Sequence, residues 1–293
     1  MRTARTPTPR IGLGLPVDDP AVLLDWARRA DATPFSTLGL LDRLVYDNPE
    51  PLVTLAALAG ATSRVRVQTE VLLAPHHGTA LLAKQTATLD RMSGGRFTLG
   101  IGVGGREDDC RAAGIDIRRR GRRLDEQMET LRRTWAGHPY DDAEGVGPIG
   151  PAPVTPGGPE VLFGGFAPAA LARVARFGDG FLGAALPPQW MDPMFRDVER
   201  LWDEHGRPGR PRLVAQVNVA LGPDDLTARA REAITAYYGF DPRAAGAAER
   251  MLVTAVQIRE AVTGFTDIGA DEVMLYCWGT DPDQVDRLAD ALF

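Results

Sequence analysis

The sequence predicts a closed (β/α)8 barrel, a TIM barrel, folded as one domain over residues 1–293. Three observations carry that expectation. Strand-length apolar runs alternate with helix-length amphipathic stretches, the pattern of parallel β/α units. The alternation can be followed through eight strands with no all-β or all-α block between them. The length of 293 residues is what eight such units need. An open, doubly wound sheet uses the same alternation and is the competing architecture.

The first apolar run, residues 11–15, stops at Pro16; Asp18, Asp19 and Pro20 then open a helix with Val22, Leu23, Trp26 and Ala27 on one face. Residues 37–41 form the second strand, and Pro51 opens a helix carrying Leu52, Leu55, Leu58 and Ala59. The third strand covers 65–73; the helix after it, 79–92, is stopped by Ser93, Gly94 and Gly95. Strand four, 97–103, precedes a long helix at 122–135. Strands five and six, 161–163 and 181–185, flank a helix at 168–177. Strand seven, 213–221, leads into helical material from 226 to 263, and strand eight, 272–276, precedes a last helix at 282–292. The breaker-rich segment 137–159 joins a helix to a strand, so it is expected as a surface loop on the face away from a barrel's usual site.

Composition narrows the function. With 44% hydrophobic and 25% charged residues the chain is globular material, neither disordered nor fibrous. A net charge of -6, without a basic stripe interleaved with aromatics, argues against nucleic acid as a partner. Cys110 and Cys277 are far apart and outside any metal-ligand spacing, so neither a disulfide framework nor a metal site is expected. Residues 1–10 carry arginines with no apolar run behind them, and no stretch approaches the ~20 apolar residues of a membrane span. The reading is a cytoplasmic protein without a membrane partner. No Ser-His-Asp elbow, P-loop or H-E-x-x-H occurs, which leaves cofactor chemistry on a small-molecule substrate.

Glycines mark where a cofactor could sit. Gly100, Gly102 and Gly105 satisfy G-x-G-x-x-G, the dinucleotide fingerprint. That fingerprint needs a helix opening directly on the glycines, whereas 106–109 is acidic and Gly114 interrupts any helix before Arg122. In a barrel, a strand-end cluster of Gly102, Gly104 and Gly105 lets the backbone approach a ligand; a plain turn is the alternative. Gly164 and Gly165 close strand five just before the helix near Pro168, so the N–H groups of the turn and of the helix N-terminus face one anion. A βα turn that needs positive φ explains the same pair. Phe166 either covers that anion or packs.

Residues 81–105 read LLAKQTATLDRMSGGRFTLGIGVGG. With IGLGLP near the start, LLDRL after strand two, TEVLL on strand three, VLFGGFAPAALARVARFGDGF in the middle and GFTDIGADEVMLY near the end, this segment resembles the luciferase-like family of flavin- and deazaflavin-dependent oxidoreductases. The resemblance implies FMN, or alternatively the deazaflavin coenzyme F420, at the C-terminal ends of the strands. It puts the Gly164–Gly165 loop on the cofactor phosphate. It also implies a bulge with a non-prolyl cis peptide at Glu70–Val71, beside Thr69, under the cofactor ring. Pairing of Glu70 with an arginine at the barrel edge is the alternative. Many relatives read Asp-His where this chain has Asp42 and Arg43. Asp42 carries over as a cofactor contact. Arg43, placed at the catalytic position, cannot shuttle a proton but could bind an anionic substrate or stabilise reduced-flavin charge. His77, with His76 beside it, is the nearest substitute for acid/base work; a solvent-exposed pair is the other reading.

The implied function is flavin-dependent oxidation or monooxygenation of a small organic substrate. Deazaflavin-dependent hydride transfer, and a barrel that binds a ligand without chemistry, are the two other readings. The family also implies a homodimer through helices two and three, for which residues 52–61 are apolar enough, and a separate flavin reductase as partner. Trp190 and Met191 in the loop after strand six, and Trp278 after strand eight, either shape the substrate pocket or pack as core.

Overall fold

In a computed structural model that describes residues 9–141, 143–240 and 246–293, strands and helices alternate as the pattern requires. The strands are β1 (Arg10–Gly14), β2 (Thr37–Leu40), β3 (Arg66–Thr69), β4 (Leu72–Leu73), β5 (Phe97–Gly102), β6 (Pro139–Asp141), β7 (Val146–Pro148), β8 (Glu160–Gly164), β9 (Gly180–Leu182), β10 (Arg212–Val219) and β11 (Glu272–Cys277). β1 pairs in parallel with both β2 and β11, and β3 pairs with β5, so the sheet has no free edge and closes. With β3 and β4 as two halves of one strand, the closed sheet has eight strands, which excludes the open alternative.

Outside it lie α1 (Pro20–Ala32), α2 (Pro51–Ala61), α3 (Thr79–Met92), α4 (Glu107–Ala112), α5 (Arg120–Trp135), α6 (Pro168–Phe177), α7 (Pro188–Glu204), α8 (Asp224–Tyr238), α9 (Ala255–Asp267) and α10 (Asp283–Leu292). Side chains cap α1, α2 and α9. Asp19 accepts from the Ala21 N–H ahead of Pro20, and Thr254 forms a capping box with Gln257 at the start of α9. Gly94 and Gly95 end α3 at φ 63° and 81°. Trp26, Phe35, Phe97, Phe163, Phe181, Phe195 and Phe265 fill the layer between barrel and helices, each fully buried side chain contributing about 1.5–3 kcal/mol.

Several elements depart from expectation. The third strand is not continuous over 65–73 but breaks between Thr69 and Leu72. The acidic run after Arg106 is helical, because Glu107, Asp108 and Asp109 sit in the first turn of α4, where the helix dipole favours acids. Trp190 and Met191 lie in α7 rather than a loop: Pro188 opens that helix, and Met191 is fully buried in the core. Helical material after strand seven is two helices, α8 and α9. The segment 137–159 holds a short antiparallel hairpin, β6–β7, and is pinned by buried Asp90, which accepts from the Val154 and Thr155 N–H groups at 2.8 Å.

Inward-facing residues stack in layers. At the N-terminal end, Arg66, Arg212, Glu160, Glu272, Thr37 and Thr98 close the barrel with paired charges: Arg212 bonds Glu160 at 2.5 Å and also Glu272, and Arg66 reaches Glu160 at 3.3 Å. Above them Leu162, Leu182, Val214 and Met274 form an apolar plug. The C-terminal layer holds Glu70, Gln216 and Tyr276 opposite glycines. A Cβ on Gly14 would enter the Tyr276 ring, and one on Gly39 would enter the Glu70 carboxyl. Large side chains from one part of the sheet thus occupy space that glycines elsewhere leave free.

Candidate active site at the C-terminal mouth of the barrel

The break between β3 and β4 shapes the floor of the site. Glu70–Val71 is a cis peptide. Strand alternation would turn residue 70 inward and residue 71 outward; here both face the lumen. Glu70 packs over Gly39, and Val71 lies against Gly102 and Gly164, where added Cβ atoms would come within 2.8 Å of its methyls. Thr69 fastens the break from the neighbouring strand, its hydroxyl donating to the Gly100 carbonyl at 2.6 Å.

Above that floor opens a cavity of about 400 Å³, within the usual range of small-molecule sites. The structure brings Glu70, Val71, Gly102, Gly104, Gly105, Gly164, Gly165 and Phe166 together on its wall, although they come from three separate stretches of sequence. Asp42, Arg43, Thr69 and His77 are not on that wall. The Asp42 carboxylate accepts the Leu73 N–H at 2.8 Å and stands 3.8 Å from His77 Nε2, so it positions β4 from behind. Arg43 is buried: its Nε donates to Asp109 at 3.0 Å, and its guanidinium lies over the Tyr46, Tyr237 and Phe240 rings. That side chain ties the loop after β2 to α4 and α8, and its cation is already neutralised.

One wall carries a glycine turn, a helix N-terminus and two arginines. Gly165 has φ 136°, a conformation favouring glycine, and a Cβ there would stand 2.8 Å from that of Ala170. This geometry turns the chain from β8 into α6, whose N-terminus has no side-chain cap. Two arginines that sequence reasoning did not single out line the same wall. Arg173 is paired with Asp125 at 2.6 Å. Arg120 donates to the carbonyls of Gly104 (3.0 Å) and Ile117, and among the described residues it has no carboxylate partner. An uncapped helix end, a glycine turn and an unneutralised guanidinium fit a phosphate.

The floor differs chemically. Glu70 is buried with no arginine or lysine in ion-pair contact among the described residues, against the edge-of-barrel pairing considered from sequence. Gln68 Nε2 donates to Glu70 Oε1 at 2.8 Å and Gln216 Nε2 reaches Oε2 at 3.4 Å. Burial pushes the carboxyl up to about 8, while the Gln68 hydrogen bond pulls it down. Tyr238, at the rim, is pushed up to about 12 by burial. His76 stands behind Gly104, its Nε2 3.7 Å from Cys110 Sγ, and burial lowers its proton affinity. Gln68, Gln216 and Tyr238 carried no motif; strand periodicity from Glu70 marks only Gln68 as inward-facing. Trp278 is core, donating to Asn218 at 2.8 Å, while Trp190 is exposed on α7 and outside the wall. No group of three or more potential metal ligands occurs among the described residues, and none of their helices is long and apolar enough to cross a membrane.

Comparison with known proteins identifies the family. A protein of Mycobacterium tuberculosis is 32% identical over 202 residues, 67% of this chain and 71% of its own. Two solved structures share the fold. An F420-dependent secondary alcohol dehydrogenase, in complex with an F420-acetone adduct, superposes with a TM-score of 0.81 at 17% identity over 97% of this chain and 98% of its own. The oxygenating constituent of 3,6-diketocamphane monooxygenase from Pseudomonas putida, in complex with FMN, gives 0.72 at 16% identity over 98% and 99%. The luciferase-like monooxygenase model matches residues 3–291, and the chain therefore belongs to that family of oxidoreductases.

Proposed function

We propose that the chain binds FMN at the C-terminal mouth of the barrel and oxidises or oxygenates a small, largely apolar organic molecule. One observation carries this reading. The wall that fits a phosphate and the interrupted strand Glu70–Val71 face the same cavity, so a ligand with an anionic tail and a flat head meets both. Bound there, such a cofactor supplies two-electron chemistry, with oxygen as partner in the case of FMN. The chain's own residues do the rest. Gly165 and the α6 N-terminus, with Arg120 beside them, hold the phosphate. Val71, Gly102 and Gly164 leave a flat surface for the ring, and Leu41, Val103, Phe166 and Phe240 keep water from the remaining space.

The deazaflavin is the second reading, favoured by the 0.81 superposition on the F420-dependent alcohol dehydrogenase. Hydride transfer alone would then be the reaction, and no flavin reductase would be needed. Titrating the purified protein separately with FMN and with the deazaflavin, followed by fluorescence, distinguishes the two. Micromolar or tighter binding of one is expected; binding of neither would favour a barrel without redox chemistry.

A further inference from the structure

We propose that Glu70 is the proton carrier of this cavity, exchanging a proton through Oε2 with the oxygen of a bound carbonyl compound or its alcohol. The inference rests on the cofactor reading and adds the acid/base group which that reading lacks. Of the ionisable groups that the described residues place on the wall, the guanidinium groups of Arg120 and Arg173 are donors only, and Tyr238 holds its proton up to about 12. The remaining one is Glu70. Arg43, at the position where acid/base chemistry was expected, is locked to Asp109, and neither His76 nor His77 reaches the wall.

The carboxyl's two oxygens are held unequally. Oε1 takes a 2.8 Å hydrogen bond from Gln68, a fully buried residue of the same strand. Oε2 has only the 3.4 Å approach of Gln216, which like Glu70 lines the cavity, so Oε2 is the freer oxygen. The slot is specific: Gly39, on the adjacent strand, leaves the volume the carboxyl fills. The titratable and charged groups that act on Glu70 are Tyr238 from α8 and Tyr276 from β11, with Glu272 and Arg212 below the apolar plug. None is a cation in contact with it, so nothing nearby fixes the carboxyl as an anion.

In the reducing direction the carbonyl carbon gains a C–H bond from the hydride of a reduced flavin-type cofactor, and the carbonyl π pair moves to oxygen. The Glu70 O–H bond breaks as the new O–H bond forms. The substrate is reduced by two electrons, the cofactor is oxidised by two, and the Glu70 carboxylate recovers a proton from water at the mouth. Oxidation of an alcohol runs the same steps backwards, with Oε2 receiving the proton.

Infrared difference spectra of the full chain, with Glu70→Gln as blank, read the carboxyl without turnover. The expected result is a carboxylic-acid band at pH 7 that is absent from the variant, disappears as pH rises through about 8 and shifts when FMN or the deazaflavin is added. An ionised Glu70 at pH 7, or a band that neither cofactor moves, overturns the proposal. The two cofactor titrations separate the two layers of argument. Glu70→Gln should bind within about threefold of the parent, and failure of both proteins to bind either cofactor would refute the cofactor reading itself. With reduced cofactor and cyclohexanone as hydride acceptor, Glu70→Gln should lower kcat by about 10²-fold or more at nearly unchanged KM, with partial recovery in Glu70→Asp. Equal rates in parent and Glu70→Gln would also overturn the proposal. If the parent does not reduce cyclohexanone, the infrared result decides alone.

Discussion

The Glu70 carboxyl should leave a signature in folding stability that needs no substrate. Its proton affinity is raised from about 4.5 to about 8 by burial, so the native state binds the proton more tightly than the unfolded chain does. The stability it lends is therefore fully present below about pH 4.5 and is lost as pH rises through about 8. At 1.36 kcal/mol per unit, the loss reaches about 3 kcal/mol at pH 7 and between 4 and 5 kcal/mol above pH 8, as an order of magnitude. Glu70→Gln keeps the shape and removes the titration. Urea unfolding of parent and variant at several pH values from about 5 to 8.5 should show the variant gaining on the parent by about 4 kcal/mol across the range, at constant m-value. A difference that stays flat or narrows with rising pH would refute the argument, because the carboxyl would then be ionised in the native state.

Four other outcomes are expected. Gly165→Val should weaken cofactor binding about tenfold or more in fluorescence titration, through loss of one or two charge-assisted hydrogen bonds, while circular dichroism stays native; global unfolding would make the turn structural instead. Gly39→Ala pushes a methyl into the Glu70 carboxyl and should cost about 1–3 kcal/mol in urea unfolding, most of it recovered when Glu70→Ala is added. Arg43→Ala strands Asp109, which is 1% exposed, and should cost about 3–5 kcal/mol while leaving FMN affinity in the folded fraction within a few-fold. If the chain pairs through the apolar groove between α2 and α3, where Val53 and Met92 are exposed, sedimentation should show a dimer that Val53→Glu converts to monomer; a monomeric parent would refute the pairing.

Strand and helix order was legible because each βα unit writes its own local signal. Asp19–Pro20 caps one helix, Ser93–Gly94–Gly95 stop another, and apolar runs mark the strands between them. Where a signal depends on neighbours, local reading failed. Acidic residues after Arg106 suggested a break, yet at the first turn of α4 they favour a helix. Pro188 was a readable start for α7, yet nothing local announced that the helix buries Met191, since burial is decided by what packs opposite.

The candidate site divides along the same line. Sequence by itself determined that glycines end β5 and β8 and that an anion could sit before α6, because backbone freedom and helix polarity are properties of a few adjacent residues, whereas the special point at residues 70 and 71 was implied by the family resemblance alone. Only the tertiary structure decided what those residues face. Closure of the sheet brought Gly39 under Glu70 and Gln216 beside it, made a buried carboxyl out of a strand-end acid, and turned Arg43 away to Asp109. Proton affinity and accessibility depend on the dielectric and charges within a few ångströms, and those neighbours come from strands far apart in the chain.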